Sequence, residues 1–324
     1  MKEEPLVSII VPVLDVEEYI ERSVRSALRQ TYRNIEVVVV DGGSEDGTMD
    51  ALRRLYEEDS RLLVVSEKGG GVSEARNIGI RESSGEWLAF LDSDDEYTED
   101  AIETMLETAE TEDADLVVAG YYLHTASTET EPRLIHIEPA VLRDRKEMQS
   151  YFLTVGRPFT FVWQKLYRRH IFDGVTFPEG KIFEDIYVTP YILDRSDSVV
   201  MIDRPLYHYY LRKSSITYSA EILQYFDGLD ARLAQRDYIE AHYPELLPDA
   251  KDSVIDFGCY LLGKIEKAGR KQYTDEWEKT IRTIRENGKG ARKSGIRMKT
   301  AVFLAGFSPA LLGAICKNLI KEAK

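Results

Sequence analysis

A chain of 324 residues is long enough for one large domain, or for a domain of about 200–250 residues with an appendage. Its hydrophobic fraction of 43% is sufficient for a sizeable core, and its net charge of −15 disfavours nucleic-acid binding, which requires a basic face. The two cysteines, Cys259 and Cys316, lack the spacing of metal ligands, which favours a reducing compartment. The N-terminal residues lack the apolar stretch of a secretion signal, so we expect a cytoplasmic protein.

Short apolar runs alternate with segments of helical spacing through the first part of the chain. The runs predict five strands, at residues 7–13, 35–40, 62–65, 87–91 and 116–119. A segment with apolar residues on one helical face follows each of the first four strands. This alternation predicts an α/β fold in which a parallel sheet has helices on both faces.

The pattern changes in the second part of the chain. An edge strand is predicted at residues 134–137, and two further strands at 199–202 and 206–210 lie on either side of Pro205. From Ser219 onward the apolar spacing is helical throughout. We therefore predict an α/β domain over residues 1–218 and a helical region over residues 219–324.

Three of the predicted strands end in polar loops, after Val13, at Asp41 and at Asp92. The carboxyl ends of parallel strands lie at one edge of a sheet, so these loops can form a single site. Side chains alternate along a strand, so Asp92 and Asp94 would point the same way if extended geometry persists. Two such oxygen ligands suit Mg²⁺ or Mn²⁺, while an acidic turn that caps the next helix is the alternative.

The loops carry neither the G-x-G-x-x-G motif of a dinucleotide-dependent dehydrogenase nor the G-x-x-x-x-G-K-[ST] motif of a P-loop enzyme. Four other segments instead follow one another along the chain. They are residues 7–13 (VSIIVPV) with 30–36 (QTYRNIE), 41–48 (DGGSEDGT), 75–79 (ARNIG) and 92–95 (DSDD). Together they resemble the family-two glycosyltransferases, which have the GT-A fold, a Rossmann-like and mostly parallel sheet. The resemblance extends over about residues 5–217.

The resemblance implies a nucleotide-sugar donor bound at the sheet edge. The implied donor-binding residues are Pro12, Val13, Asp41, Arg76, Asp92, Ser93, Arg212, Ser215 and Thr217. The last three belong to a stretch similar to the family's R-x-x-S-I-T segment, which would close over the diphosphate as a lid. Two alternatives remain open, since Asp41 could cap the helix that follows it and Arg76 could be a surface residue.

A metal site is implied at the same edge. Asp94, with Asp92 beside it, is implied to bind the Mn²⁺ or Mg²⁺ that bridges the diphosphate, where a cation stabilises the charge of the leaving group. His208 is a further candidate ligand, and a packed position in an aromatic strand is the alternative for it.

Two positions depart from the family pattern. Many relatives have Tyr-Asn where this chain has Leu14-Asp15, and a second aspartate where it has Gly42. In the family these positions stack on the uracil and hydrogen-bond to it, whereas leucine stacks poorly and glycine has no side-chain acceptor. A UDP-sugar is therefore the default donor, and another base is left open.

A candidate general base lies further along the chain. Residues 161–169 resemble the family's N-K-L-Y-[KR]-[KR] segment, with Gln164 in place of asparagine, and Glu184-Asp185 follows. The resemblance implies that Asp185 takes the proton from the acceptor hydroxyl. One base without a nucleophile implies inversion at the anomeric carbon. The alternative is that both carboxylates merely occupy a helix N-terminus.

The last segment combines basic and apolar residues. No acid occurs between Gly288 and Lys321, and the apolar run from Ala301 to Cys316 is split by Ser308-Pro309. The run is short for a membrane span of about 20 residues. Basic residues beside an apolar helix suit the surface of an anionic membrane. A helix hairpin packed on the domain or on a second copy is the alternative.

These observations predict a metal-dependent, inverting glycosyltransferase that uses a nucleotide-sugar donor. Its acceptor would be a hydroxyl of a glycan, a glycolipid or a cell-wall polymer, at the cytoplasmic side of the membrane. The alternatives are a non-catalytic sugar- or partner-binding module on the same scaffold and a sugar nucleotidyltransferase. The latter would be expected to have a glycine-rich basic loop after its first strand. A homo-oligomer is left open.

Overall fold

The computed structural model describes residues 4–125, 131–155, 160–212, 221–289 and 295–319. The predicted donor-binding residues Ser215 and Thr217 lie outside these ranges. The chain divides into two compact units. The first unit takes the described residues within Met1–Met148, Gly156–Gly180 and Tyr191–Lys213, and the second takes those within Gln149–Val155, Lys181–Pro190 and Ser214–Lys324.

The first unit is built on a sheet of ten strands in the described ranges. In chain order the strands are β1 (Val7–Val13), β2 (Ile35–Asp41), β3 (Leu62–Ser66), β4 (Trp87–Phe90), β5 (Glu96–Tyr97), β6 (Leu116–His124), β7 (Arg133–Ile135), β8 (Ala140–Leu142), β9 (Lys165–Arg168) and β10 (Val199–Tyr210). The order across the sheet is β3-β2-β1-β4-β9-β6-β10-β5, with β7 beside β6 and β8 beside β10. The neighbours β3, β2, β1 and β4 run parallel, as do β6 and β10.

Helices cover both faces of the parallel strands. They are α1 (Ile20–Leu28), α2 (Thr48–Glu58), α3 (Gly71–Glu82) and α4 (Ala101–Glu112). Alternate side chains of β2 pack on opposite faces of the sheet. Val37 and Val39 pack in the main core with α1, α2 and α4, whereas Val38 and Val40 pack against α3. Hydrophobic side chains at four consecutive positions, Val37 to Val40, are what a sheet buried on both faces requires. The α/β fold class is confirmed.

Antiparallel strands complete the sheet. Strand β9, which contains part of the segment predicted to resemble N-K-L-Y, lies antiparallel between β4 and β6. The prediction of separate strands at 199–202 and 206–210 is wrong, because β10 runs through both. Its register against β6 shifts on either side of Pro205. Proline lacks the N–H that a regular hydrogen-bond ladder needs. The strand therefore becomes irregular at Pro205 but does not end there.

The second unit is helical from residue 225 onward. Its helices are α7 (Tyr225–His242), α8 (Leu247–Ala268), α9 (Thr274–Gly288), α10 (Ile296–Phe307) and α11 (Pro309–Leu319). Two earlier helices, α5 (Arg145–Val155) and α6 (Glu184–Arg195), are shared between the units. One core joins the five C-terminal helices, with Leu261, Ile284 and Ala305 fully buried in it. None of the helices in the described ranges is both long and apolar enough to cross a bilayer.

Candidate active site at the sheet edge

Asp41 ends β2 and organises the loop that follows it. Its side chain is 1% exposed, and its two carboxylate oxygens accept hydrogen bonds from Gly43 N (3.1 Å), Ser44 N (3.0 Å) and Ser66 Oγ (3.1 Å). Asp41 therefore shapes its own loop. The N-terminus of α2 is served by another residue, Asp46, whose carboxylate accepts from Thr48 N at 3.0 Å. The donor-binding role of Asp41 stays a prediction.

The loop after β1 is fastened to the loop after β2. Ser44 Oγ accepts from Asp15 N (2.9 Å), Asp15 Oδ1 accepts from Glu45 N (2.8 Å), and Thr48 Oγ1 accepts from Val16 N (2.9 Å). Asp15 has a φ of +49°, a left-handed conformation that aspartate tolerates better than most residues. The polar residues of segment 41–48 thus hold the ends of β1 and β2 together.

Among the positions predicted to lie near the base, Pro12 and Val13 are buried, whereas Leu14 and Gly42 are uncrowded. Pro12 and Val13 end β1 beside Val40 and Asp41 of β2. The side chain of Leu14 is 53% exposed, and a Cβ added at Gly42 would lie 3.5 Å from the nearest atom. Nothing in the described loop therefore crowds these two departures from the family pattern.

The aspartates after β4 lie in a turn. Strand β4 ends at Phe90, and Asp95 N donates to Asp92 O at 3.0 Å. Extended geometry therefore does not persist through Asp94, and the alternation of side chains that we used to pair Asp92 with Asp94 does not apply. Ser93 in this turn is buried.

The turn is held by Asp95, which the sequence reasoning did not select. Asp95 is fully buried; Tyr207 Oη donates to its Oδ2 at 2.9 Å and Tyr210 N donates to its Oδ1 at 2.8 Å. The same Tyr207 oxygen accepts from Asp92 N at 3.1 Å. Burial, followed by the charge of Asp92, raises the pKa of Asp95 well above its usual value. The clue in the sequence was a third acid directly after a strand, but its partners lie 112 and 115 residues away.

Arginines pair with both of the predicted ligands. Arg76 Nη2 lies 3.1 Å from Asp92 Oδ1, and Arg212 Nη2 lies 2.7 Å from Asp94 Oδ2. The Arg212 guanidinium also stacks over the ring of Tyr19 at 3.4 Å. Arg76 is buried, so the alternative that it is a surface residue is wrong. The structure thus brings together four predicted site residues as two ion pairs.

A third arginine, which sequence reasoning missed, braces the same turn from α1. Arg22 Nη2 donates to Asp94 O at 2.7 Å, and its Nε lies 3.0 Å from Glu96 Oε1. Its guanidinium lies over the ring of Tyr210 at 4.0 Å. Ser23 Oγ donates to Asp92 O at 3.3 Å. Helix α1 therefore fixes the backbone of the acidic turn, while the carboxylates of Asp92 and Asp94 stay partly exposed.

The residues suit one mode of divalent cation binding. In the described ranges, no three His, Cys, Asp or Glu side chains form a cluster that could hold a metal by themselves. Mg²⁺ in nucleotide enzymes is usually held by one or two carboxylates together with substrate phosphates, which asks only for Asp92 and Asp94. His208 Nδ1 lies 2.9 Å from His124 Nε2, and its ring stacks on Tyr122. These contacts match packing in an aromatic strand, and its role as a ligand stays a prediction.

The candidate base Asp185 belongs to the second unit. It lies in the first turn of α6, where the helix dipole favours a carboxylate, and its Oδ1 accepts from Ile186 N at 2.8 Å. The segment before it is anchored to α7 by Asp227, which pairs with Lys181 Nζ at 2.6 Å and accepts from Ile182 N at 3.2 Å. Asp227 has no motif around it, so sequence reasoning missed it.

Comparisons with known proteins identify relatives of this chain. The model of the family "Glycosyl transferase family 2" matches residues 8–176. GlyA of Streptococcus pneumoniae, a glycosyltransferase, is 31% identical over 65% of this chain and 31% of its own length. EpsJ of Bacillus subtilis, an uncharacterized glycosyltransferase, is 32% identical over 66% of this chain and 63% of its own length. The match thus spans less than two thirds of either relative.

The fold has a counterpart among solved structures. S. aureus TarS residues 1–349, solved in complex with UDP-GlcNAc, superposes with a TM-score of 0.69 over 97% of this chain and 91% of that one, at 17% identity. This likeness confirms the predicted GT-A fold with a C-terminal helical region. The family match covers more than half of the chain, including the loops after β1, β2 and β4, and the chain therefore belongs to glycosyltransferase family 2.

Proposed function

We propose that this protein transfers a sugar from a nucleotide-sugar donor to an acceptor hydroxyl, with inversion at the anomeric carbon. The observation that carries the proposal is the acidic turn, in which Asp92 and Asp94 are partly exposed and each is paired with an arginine. The turn stands at the same sheet edge as the fastened loops of β1 and β2, where α/β proteins bind their ligands. The glycan, glycolipid or cell-wall acceptor stays a prediction from the family.

The arginines suit a diphosphate leaving group. Arg76 and Arg212 present cations at the sheet edge, and guanidinium groups bind phosphate oxygens well. In the structure each is paired with a carboxylate, Arg76 with Asp92 and Arg212 with Asp94. Donor binding would exchange the Arg212–Asp94 contact for contacts with the diphosphate, and Asp94 would then be available to hold Mn²⁺ or Mg²⁺. The metal would neutralise negative charge on the diphosphate.

The general base in this proposal is Asp185. It lies in the first turn of α6, where the helix dipole favours a carboxylate, and a carboxylate can accept the proton of the acceptor hydroxyl. No second carboxylate is needed as a nucleophile, which is why inversion is proposed.

The base of the donor is proposed to be uracil. Leucine stacks poorly and glycine has no side-chain acceptor, so Leu14 and Gly42 weaken the usual basis for this assignment. A panel of UDP-, GDP-, ADP- and TDP-sugars with Mn²⁺ tests it, because a ligand that binds only the native state raises the melting temperature. An increase in melting temperature with UDP-sugars alone supports uracil. A larger increase with a sugar nucleotide of another base would assign that base instead.

Asp185→Asn tests the whole proposal. With the donor identified, we expect the variant to keep the donor-induced rise in melting temperature and to lose transfer, measured as nucleotide release, by about 10²–10⁴-fold. Asp194→Asn, on the same helix, is the matched control and should keep both. Loss of donor binding in Asp185→Asn would make the residue structural, and unchanged transfer would exclude it as the base.

A further inference from the structure

The two C-terminal helices, α10 and α11, have contrasting faces. Their inner face belongs to the core of the second unit; its buried residues are Ala301, Ala305, Leu312 and Cys316. Their outer side carries large apolar side chains that are exposed to between 39% and 79%: Phe303, Phe307, Leu311, Ile315 and Leu319. The exposed fractions of Phe303 and Phe307 reach 63% and 79%. We call these five side chains the apolar face.

Exposed apolar side chains are concentrated on these two helices. Twelve large apolar side chains are exposed in the described ranges, and five of them lie within this short segment. Phe303 and Phe307 stack with ring centroids 5.6 Å apart, so they form one surface. Single exposed apolar residues are normal, but a contiguous exposed patch marks an interaction site.

The charge around this face is opposite to that of the rest of the chain. Residues 289–320 contain six lysines and arginines and no acid, in a chain of net charge −15. Lys299 and Lys317 are exposed on the two helices. On α8, Asp256 pairs with Arg297 of α10 at 3.1 Å, and Glu266 lies 4.0 Å from Arg270. The support therefore offsets the charge of Arg297, whereas Lys299 and Lys317 present their charges on the exposed surface.

We propose that the apolar face docks on the surface of an anionic lipid bilayer. The aromatic and aliphatic side chains would enter the boundary between headgroups and acyl chains, and the lysines would lie at the level of the lipid phosphates. The two helices have 12 and 11 residues, too few to span the hydrocarbon core. The helix pair therefore lies in the interface plane. This inference does not depend on the proposed reaction.

Charge complementarity selects the bilayer over a second copy of the chain. An isologous contact through this face would bring two basic segments together, which is unfavourable. An anionic lipid surface instead offers negative charge to the lysines and an apolar layer to the phenylalanines, the combination that peripheral amphipathic helices use.

Vesicle sedimentation of the full chain tests the docking. We expect binding to vesicles with anionic phosphatidylglycerol, weaker binding to neutral phosphatidylcholine, and weakening by added salt. The variant Phe303→Ser/Phe307→Ser should partition at least about tenfold less into anionic vesicles. The matched control is Tyr56→Ser/Leu223→Ser, which removes two large side chains elsewhere that are 57% and 55% exposed, and it should bind as wild type.

A charge-reversal variant separates the electrostatic contribution. Lys299→Glu/Lys317→Glu should lose binding to anionic vesicles, whereas Arg53→Glu/Arg54→Glu on α2 should not. Far-UV circular dichroism and the melting temperature establish that each variant is folded. Wild-type binding by the serine variant overturns the proposal. So does a dimer in sedimentation velocity that the serine variant dissociates while the wild type ignores vesicles, because the face would then be a protein contact.

Discussion

The sheet edge of the first unit and the apolar face of the second are unusual in opposite ways. At the sheet edge charge is buried or half-buried, and every charged group described there has a partner, such as Arg212 for Asp94 and the two tyrosines for Asp95. On the apolar face large hydrophobic side chains are exposed. Buried charge and exposed apolar surface are the two departures from an ordinary fold that carry information about function.

This contrast indicates which kind of ligand each region would bind. A partnered charge must exchange one contact for another, so the sheet edge suits a specific anionic ligand that can replace the carboxylates. Removing an exposed apolar surface from water is favourable whatever apolar surface covers it. The apolar face therefore suits an extended and less specific surface such as a lipid layer. The predictions below test these two descriptions.

The largest effect is expected at the sheet edge. Asp94→Ala would remove the partner of Arg212 and the proposed metal ligand, and we expect donor turnover to fall about 10²–10³-fold or more. Nucleotide release with Mn²⁺ measures it. Asp50→Ala, which removes an exposed helix carboxylate paired with Arg53, is the control and should retain activity. Undiminished Mn²⁺-dependent donor binding in Asp94→Ala would remove this residue from the metal site.

The next effect concerns the two faces of α11. Leu312 is buried and Leu311 is half-exposed, although they are adjacent in sequence. Leu312→Ala should lower the free energy of unfolding by about 2–5 kcal/mol, because it leaves a cavity in the core. Leu311→Ala should change it by less than about 0.5 kcal/mol. Urea denaturation compares the two, and equal losses would mean that the outer face is covered by protein.

The smallest effect concerns the hydroxyl that ties the acidic turn together. Tyr207→Phe keeps the ring but removes the group that accepts from Asp92 N and donates to Asp95. We expect a loss of about 1–3 kcal/mol in the free energy of unfolding, since buried polar partners are left unsatisfied. Tyr56→Phe, at an exposed tyrosine, is the control. A loss no larger than in this control would show that the turn does not need the hydroxyl.

Much of the fold was predictable because its signals are local. The alternation of apolar runs and amphipathic segments predicted the α/β class, and Ser308-Pro309 predicted the break between α10 and α11. The acidic turn shows where local signals stop. Its three aspartates are visible in sequence, but pairing Asp92 with Asp94 by alternation required the strand to continue through Asp94, and the strand ends at Phe90.

The amino-acid sequence indicated β1 to β4 and β6, the loops that carry the acids, and the apolar helices with basic neighbours, but it did not indicate β5, β8 or β9. Only the tertiary structure decided which groups meet: Asp94 with Arg212, Asp95 with Tyr207 and Tyr210, and Asp92 with Arg76. Most of these partners lie more than a hundred residues apart, because β10 returns beside β5 and β6 at the edge of the sheet. Contacts of that separation depend on how the strands are ordered, which no local pattern of residues records.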